Sequence, residues 1–324
     1  MKARYLTFFS YIGTTFRSSE KIWLKEGKHY PDPQSVQGLM ELGLQRLKSL
    51  NYPSVTLSSR TDGGVHALNS SAHFDLERFG SNIYEPTGIT YNLNKFFYKN
   101  DISIIVKKCL RVPDNFNARY NAIRRTYLYR LAVLKDDVQL PENVGMASCI
   151  PIEEWRRCYF VRLQNFNIDL MREATKYLVG YHDFTTFKRF GKLKQYKHNR
   201  REIYSIDVKP GQPLVSSCSN PPFTYWDVEI QGRAFVHNQI RRMMGTLISV
   251  ATEKLPPEEI KVMLQVPSKH SWHNFIQNCP PDGLYLANVE YNPEDLVYDE
   301  NIRIHEPTQD RKCDNDSESV NQTV

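Results

Sequence analysis

The stretch SSRTDGGVHALNSSAHFDL, Ser58 to Leu76, places one arginine, one aspartate, two glycines and one histidine within the seven positions Arg60–His66. Alternating apolar and polar residues predict a strand over Val55–Ser59 that runs into this segment, and a second over Ser71–Leu76 that leaves it. In extended backbone Arg60 and Asp62 stand at i and i+2 and point to one face. A guanidinium that close favours the ionised carboxylate. Gly63 and Gly64 leave no side chain beside Asp62, which permits a positive-φ turn or the close approach of a ligand. Two uses of Asp62 fit this pattern. Asp before Gly is an ordinary turn residue; a carboxylate at a strand end is also a place for chemistry.

Working outward, Tyr5–Tyr11 alternates aromatics with period two and reads as a strand. Asp32–Pro33 reads as an N-cap followed by a proline at the first helical position, opening an amphipathic helix over Gln34–Leu50. Ile102–Leu110 and Thr126–Leu134 are further strands. Asp169–Val179 is a helix ended by Gly180, and Glu202–Lys209 and Tyr225–Ile230 are strands. HNQIRRMMGTLISVATEKL, from His237, is a helix whose Ile240, Met243, Met244, Leu247 and Ile248 share a stripe, with Ile240 and Met243 expected in the core. PPEEIKVMLQ is a short helix. Strands and helices mix without strict βαβ order, which predicts an α+β fold with largely antiparallel sheet. The division is expected near residue 112, giving an N-terminal half 1–112 and a C-terminal half 113–296. The polar, acidic segment 297–324 is expected to be disordered.

The chain of 324 residues is 40% hydrophobic and 24% charged, as soluble globular proteins are. No run of about 18 apolar residues predicts a membrane helix. The start, MKARYLTFFSYIG, lacks the apolar core and cleavage site of a secretory signal, so neither that nor a visible transit peptide is expected. The six cysteines form no CxxC and no zinc-spaced Cys/His pair, which suits a reducing compartment. The formal charge is +6, and the last 16 residues contribute a net −2 of their own. The folded body therefore carries about +8, a mild excess that suits a polyanionic partner.

GxGxxG after a strand, the Walker loop, HExxH and GxSxG are all missing, so an enzyme here is expected to need no metal, nucleotide or flavin. Two segments interleave bases with rings, as RNA-contacting segments do. In NFNARYNAIRRTYLYRLAV, Asn115–Val133, Arg119, Arg124, Arg125 and Arg130 alternate with Phe116, Tyr120, Tyr127 and Tyr129. Tyr129 is expected in the core and Tyr127, nearer the strand start, at a surface. Lys188–Arg201 runs through Lys188, Arg189 and Arg201 without one acid, among Phe190 and Tyr196. In GRAFVHNQIRRMMGTL, His237 and Arg241 are four apart on a face other than the apolar stripe, where a lone arginine is ordinarily solvated.

Taken in order, these segments resemble the TruA family of tRNA pseudouridine synthases. The family's R-T-D-[AG]-G-V-H turn is Arg60–His66, its F-[HN]-A-R is Phe116–Arg119, and its R-x-Y-x-Y strand is Arg125–Tyr129. Its G-x-H-D-F-[ST]-x-F is Gly180–Phe187, and its F-x-x-x-x-[IV]-R-x-[MI]-x-[GA] is Phe235–Gly245. The closing G-L-x-L ends the segment Pro281–Leu286. The resemblance spans about Tyr5 to Tyr291. SSRTDGGVHAL and RTYLYRLA are similar to the wording of the eukaryotic tRNA pseudouridine synthase-like 1 branch.

The resemblance implies a pseudouridine synthase fold, two α/β halves with mainly antiparallel sheets flanking a basic cleft, as a homodimer, with no cofactor or metal. It implies Asp62 as the nucleophile, Tyr127 as the ring that stacks on the uridine, and Arg241 as the arginine paired with Asp62, with Arg60 close by. Arg119, Arg125, Lys188, Arg189 and Arg201 would hold RNA phosphates. The substrate implied is tRNA or another structured RNA, and the branch implies mitochondrial RNA, with cytoplasm or nucleus as the alternatives. Isomerisation of uridine adds no atoms and changes no oxidation state, which fits the missing cofactor motifs. A non-catalytic RNA-binding or RNA-chaperone protein on the same fold is the competing reading. The chain departs from the family in its first loop, YIGTTFRSSEKIW, where Ile12 replaces an acid and the family's Gly and Gln are gone. Ser59 replaces a common Gly, and Gly63 replaces the commoner Ala, a change expected to be tolerated.

Overall fold

In the computed structural model, which describes residues 1–22, 31–138, 145–163, 165–189, 198–215 and 222–298, strands and helices follow in the order β1 (Lys2–Tyr11), α1 (Val36–Gln45), β2 (Thr56–Leu57), β3 (His66–Glu77), α2 (Pro86–Lys99), β4 (Ile104–Val112), β5 (Ala122–Leu134), β6 (Tyr159–Val161), α3 (Ile168–Leu178), β7 (Gly180–Asp183), β8 (Arg200–Pro210), β9 (Phe223–Gly232), α4 (Gln239–Ala251), α5 (Glu259–Gln265) and β10 (Leu284–Tyr291). The fold is mixed α+β, as expected. Most of the tail expected to be disordered lies outside the described residues, as does 190–197 of the basic run. Among the described residues no helix is long and apolar enough to cross a membrane.

The strands form one sheet of ten in the order β4-β1-β3-β10-β5-β9-β8-β7, with β2 on β3 and β6 on β5. Pairing is antiparallel except for β10 with β3 and β6 with β5. The sheets of the two halves are thus continuous, and one core cluster runs through both, from Tyr5 and Phe9 to Tyr129 and Met244. The strand that joins them is the last in sequence among the described residues. Tyr285 and Leu286 of β10 pair in parallel with His66 and Ala67 of β3. On its other edge Leu286 pairs with Tyr127 of β5. The turn carrying Asp62 immediately precedes β3, so β10 sets Asp62 and Tyr127 at the same end of the sheet.

Two helices differ from their expected bounds for local reasons. Helix α1 begins at Val36 because Ser35, not Asp32, caps it; the Gly38 N–H donates to Ser35 Oγ at 3.1 Å. Asp32 instead accepts from the Gln34 N–H at 3.1 Å and from the Ile22 N–H at 3.2 Å, tying the first loop to the helix start. Helix α4 begins at Gln239 rather than His237, because Asn238 is left-handed with φ 62°. Helix α2 has no counterpart among the sequence expectations. Its Thr, Asn, Tyr and Gly residues are weak helix formers, and Ile89, Leu93 and Phe97, buried on one stripe, hold it to the core.

Candidate active site

Asp62 stands in the turn between β2 and β3, and the loop after β1 is laced to that turn by its backbone. Ser18 and Asp62 form an antiparallel bridge. The Ser19 N–H donates to the Thr61 carbonyl at 3.1 Å, and the Thr61 N–H donates to Ser19 Oγ at 2.7 Å. The glycines serve this lacing. A Cβ on Gly63 would lie 2.4 Å from the Arg17 carbonyl oxygen, and Gly64 has φ +83°. Gly64 thus takes the positive-φ turn that the sequence allowed, with the Pro281 ring 2.8 Å from where a Cβ would stand, while Gly63 makes room for the neighbouring backbone rather than for a ligand. It also means that Gly63, the variant residue at a position where Ala is commoner, is required by this chain's first loop.

His66 locks the other end of the turn. The Gly13 N–H donates to its Nδ1 at 3.0 Å, which leaves the proton on Nε2, and Nε2–H donates to the Arg156 carbonyl at 3.0 Å. Its ring stacks on Tyr285 of β10 with centroids 4.6 Å apart. Burial pushes its pKa down, so this histidine is a neutral strut.

From the other half, the start of α4 reaches the same place. Arg241 lies in its first turn, where Nε donates to the Cys279 carbonyl at 2.6 Å and Nη1 donates to Asp62 Oδ2 at 3.2 Å. The segment before β10 packs so closely on α4 that a Cβ on Gly245 would lie 1.9 Å from the Gln277 carbonyl oxygen. Arg242, beside it, points elsewhere. It donates to the Thr186 and Lys188 carbonyls at 2.8 Å each and lies 4.0 Å over the Trp272 ring. That clamp fixes the end of the Gly180–Phe187 motif, and two residues on, Arg189 donates its N–H to the His237 carbonyl at 3.0 Å.

The left-handed Asn238 turns His237 out of the helix and toward Asp62, with Nε2 3.2 Å from Oδ1. Sequence reasoning placed His237 beside Arg241 but gave it no role. The local turn at Asn238, not helical spacing, brings the two together. Asp62 is 28% exposed, with one oxygen on His237 and the other on Arg241. Burial raises its pKa; the His237 hydrogen bond and charge, with Arg241, outweigh this and leave it below the usual carboxylate range. The group is an anion with both oxygens oriented.

Arg60 does not turn to Asp62 as the i, i+2 spacing suggested. Its guanidinium pairs with Glu20 Oε1 at 2.8 Å. The extended geometry behind that expectation ends at the turn. Tyr127, expected at a surface, is 6% exposed, its ring edge-on to Phe235 with centroids 5.1 Å apart. Its hydroxyl meets Ser59 Oγ at 2.9 Å, so the residue that replaces the common Gly holds the phenol. Burial keeps that phenol neutral. Tyr129, as expected, is core.

Around these residues lies a cleft of about 1040 Å³. Its wall holds Arg60, Asp62, Tyr127 and Arg241, and also the five residues expected to hold RNA phosphates, Arg119, Arg125, Lys188, Arg189 and Arg201; Arg124 and Arg130 of the same basic segment instead pair with Glu290 and Glu154. Their situations differ. Arg119 and Arg189 are exposed. Lys188 Nζ donates to Asn199 at 3.3 Å, and Arg201 donates to the carbonyls of His198 and Arg200 at 3.0 and 2.7 Å. Arg125 is buried, and its guanidinium bonds the carbonyls of Arg233, Ser58 and Arg119. It ties β5 to the strand before Asp62.

The family model described as tRNA pseudouridine synthase matches residues 174–292. The tRNA pseudouridine synthase-like 1 of Xenopus laevis is 32% identical over 91% of this chain and 93% of its own length. Its Homo sapiens counterpart is 31% identical over 90% of this chain and 91% of its own length. The tRNA pseudouridine synthase A of Dinoroseobacter shibae is 30% identical over 81% of this chain and 88% of its own length. Shared along nearly the whole chain, and not only in the turn around Asp62, these likenesses place it in the TruA-type family of tRNA pseudouridine synthases.

Proposed function

We propose that the chain isomerises uridine to pseudouridine in tRNA, with Asp62 as the nucleophile. The observation that carries this reading is the carboxylate itself, ionised, held on both oxygens by His237 and Arg241, and set in a basic cleft with Tyr127. The cleft is large enough for a nucleotide.

The reaction breaks N1–C1′, turns the uracil and forms C5–C1′; the proton on C5 leaves and N1 ends protonated. Nothing is oxidised or added. Asp62 starts the sequence either by bonding to C1′ as the uracil leaves or by taking the C2′ proton, and both require the anion. Arg241 and His237 keep it ionised despite burial, so each bond made by Asp62 begins from the charged form. The uridine must leave its stack, which costs a few kcal/mol. Packing against Tyr127 and Phe235 offsets this at about 1–3 kcal/mol per base. Lys188, Arg189, Arg119 and Arg201 meet the phosphates, while Arg125 acts from behind them, holding the Ser58 carbonyl and hence the turn.

The test is Asp62→Asn, which preserves shape and removes the charge. Pseudouridine formation in an unmodified tRNA transcript is expected to fall by at least about 1000-fold, the scale of removing a covalent catalyst, while transcript binding stays within about threefold. Wild-type yield from the mutant overturns the mechanism. Mapping pseudouridine across cellular RNA with wild type and Asp62→Asn identifies the uridine, and mitochondrial RNA is the pool to map first, given the branch the chain resembles.

A further inference from the structure

Among the described residues that wall the cleft, the acids are Asp62 and Glu20. Asp62 is accounted for. Glu20 is an anion where an anionic substrate must enter, and its carboxylate is spent on Arg60 at 2.8 Å.

Its position is built rather than incidental. On one side, Ser19 is buried and bonded to Thr61 in both directions. On the other, Lys21 is buried, and its Nζ pairs with both oxygens of Glu41 at 2.7 and 2.9 Å. Glu41 also accepts from the Tyr52 hydroxyl at 2.9 Å and the Val55 N–H at 3.1 Å. The Lys21 N–H donates to Gln37 at 3.1 Å. The backbone is therefore fixed immediately before and after Glu20, and the carboxylate cannot swing clear of the cleft by moving its loop. Arg60 in turn sits two residues from Asp62 on a turn fixed by the same loop.

We infer that Glu20 is a counter-charge that RNA must displace from Arg60, and that it thereby limits how tightly the cleft holds RNA. The inference rests on RNA being the substrate of this cleft. The pair is at the surface, with Arg60 59% and Glu20 32% exposed, so it is weak enough for a phosphate to break. Once a phosphate takes Arg60, the freed carboxylate faces that phosphate and takes up a cation from solution. The exchange releases one ion fewer than binding to an unpaired arginine would. When the product leaves, Glu20 recaptures Arg60 and competes with rebinding.

The experiment measures binding of an unmodified tRNA transcript by fluorescence anisotropy across a salt series, for wild type, Glu20→Gln, Arg60→Gln and the double variant. Both side chains reach solvent, so the substitutions leave the core untouched. Glu20→Gln is expected to bind about three- to tenfold tighter near 0.1 M salt, with a log–log salt slope steeper by about one. In the Arg60→Gln background that gain is expected to shrink below about twofold. Equal affinity and slope for wild type and Glu20→Gln overturn the inference, and so does an undiminished gain without Arg60. A wild-type protein that does not bind the transcript, or binds it and makes no pseudouridine, overturns the functional reading instead. Wild type that binds and modifies while Glu20→Gln matches it overturns the counter-charge alone.

Discussion

Asp62 Oδ1 and His237 Nε2 stand 3.2 Å apart, although the turn before β3 and the turn before α4 that carry them are separated by 175 positions of sequence. A hydrogen bond to a charged group contributes about 1.5–3 kcal/mol. His237→Ala is therefore expected to lower kcat by about 10–100-fold with KM for tRNA within about threefold, because the bond orients the carboxylate and not the RNA. His237→Gln keeps an N–H at the same reach and should recover much of the rate. Equal losses in the two variants, or a loss confined to KM, would show that the histidine acts otherwise.

Arg241 acts with His237 on the acid side of the pH profile. Activity belongs to the ionised Asp62, so it is present above the folded-state pKa and lost as pH falls through it. That pKa lies below the usual carboxylate range, the pull of His237 and Arg241 having overcome burial. In Arg241→Met burial meets less opposition, and the acid limb of kcat/KM should move upward, toward neutral pH. The stabilising effect of the same ion pair, present above the unfolded value and lost below the folded one, shrinks too. An unmoved limb in the variant would separate Asp62 from the titration that controls rate.

Tyr127 tests ring against hydroxyl. Tyr127→Phe removes the bond to Ser59, at about 1 kcal/mol of stability, and keeps the ring. Its single-turnover rate should stay within about tenfold of wild type. Tyr127→Ala loses the ring as well as its packing on Phe235 and should lose about 10–100-fold more, the scale of one base stack. Assays run below each variant's melting temperature keep folding apart from chemistry. If Phe and Ala fall equally, the phenol oxygen is the functional atom.

Glycines at two places should respond to alanine with opposite signs. Gly63→Ala drives a methyl toward the Arg17 carbonyl, 2.4 Å from the ideal Cβ position, and should cost about 1–3 kcal/mol along with displacement of Asp62. In α2 a Cβ on Gly88 meets only Glu85, at 3.9 Å, so Gly88→Ala should stabilise by about 0.5–1 kcal/mol. Urea unfolding of both variants checks the pair.

Much of this was legible in the sequence where the signal is local. Period-two alternation marked β1 and β5, and the apolar stripe of Ile240, Met243 and Leu247 marked α4. The α+β class followed from them. The pairing of Asp62 with Arg241 across 179 positions has no local signal; it was reached through the ordered family motifs. His237 escaped because its aim is set by the left-handed Asn238, a conformation that nothing in the neighbouring residues demands. Arg60 was misdirected because strand periodicity was carried past the point where the strand stops. Of the two uses the sequence left open for the glycines, Gly64 takes the positive-φ turn, whereas Gly63 faces the first loop, a partner remote in sequence that local reading could not supply.

The placement of β10 between β3 and β5 has a consequence for the order in which the molecule is made. A ribosome finishes Asp62, then Tyr127, then Arg241, and only afterwards the strand that sets the first two side by side. Until Leu284–Tyr291 emerges, β3 and β5 present bare edges to one another. A nascent chain owns every reacting group and no site. Assembly of the cleft waits for β10, and a chain cut short before Leu284 carries the chemistry without the geometry that makes it work.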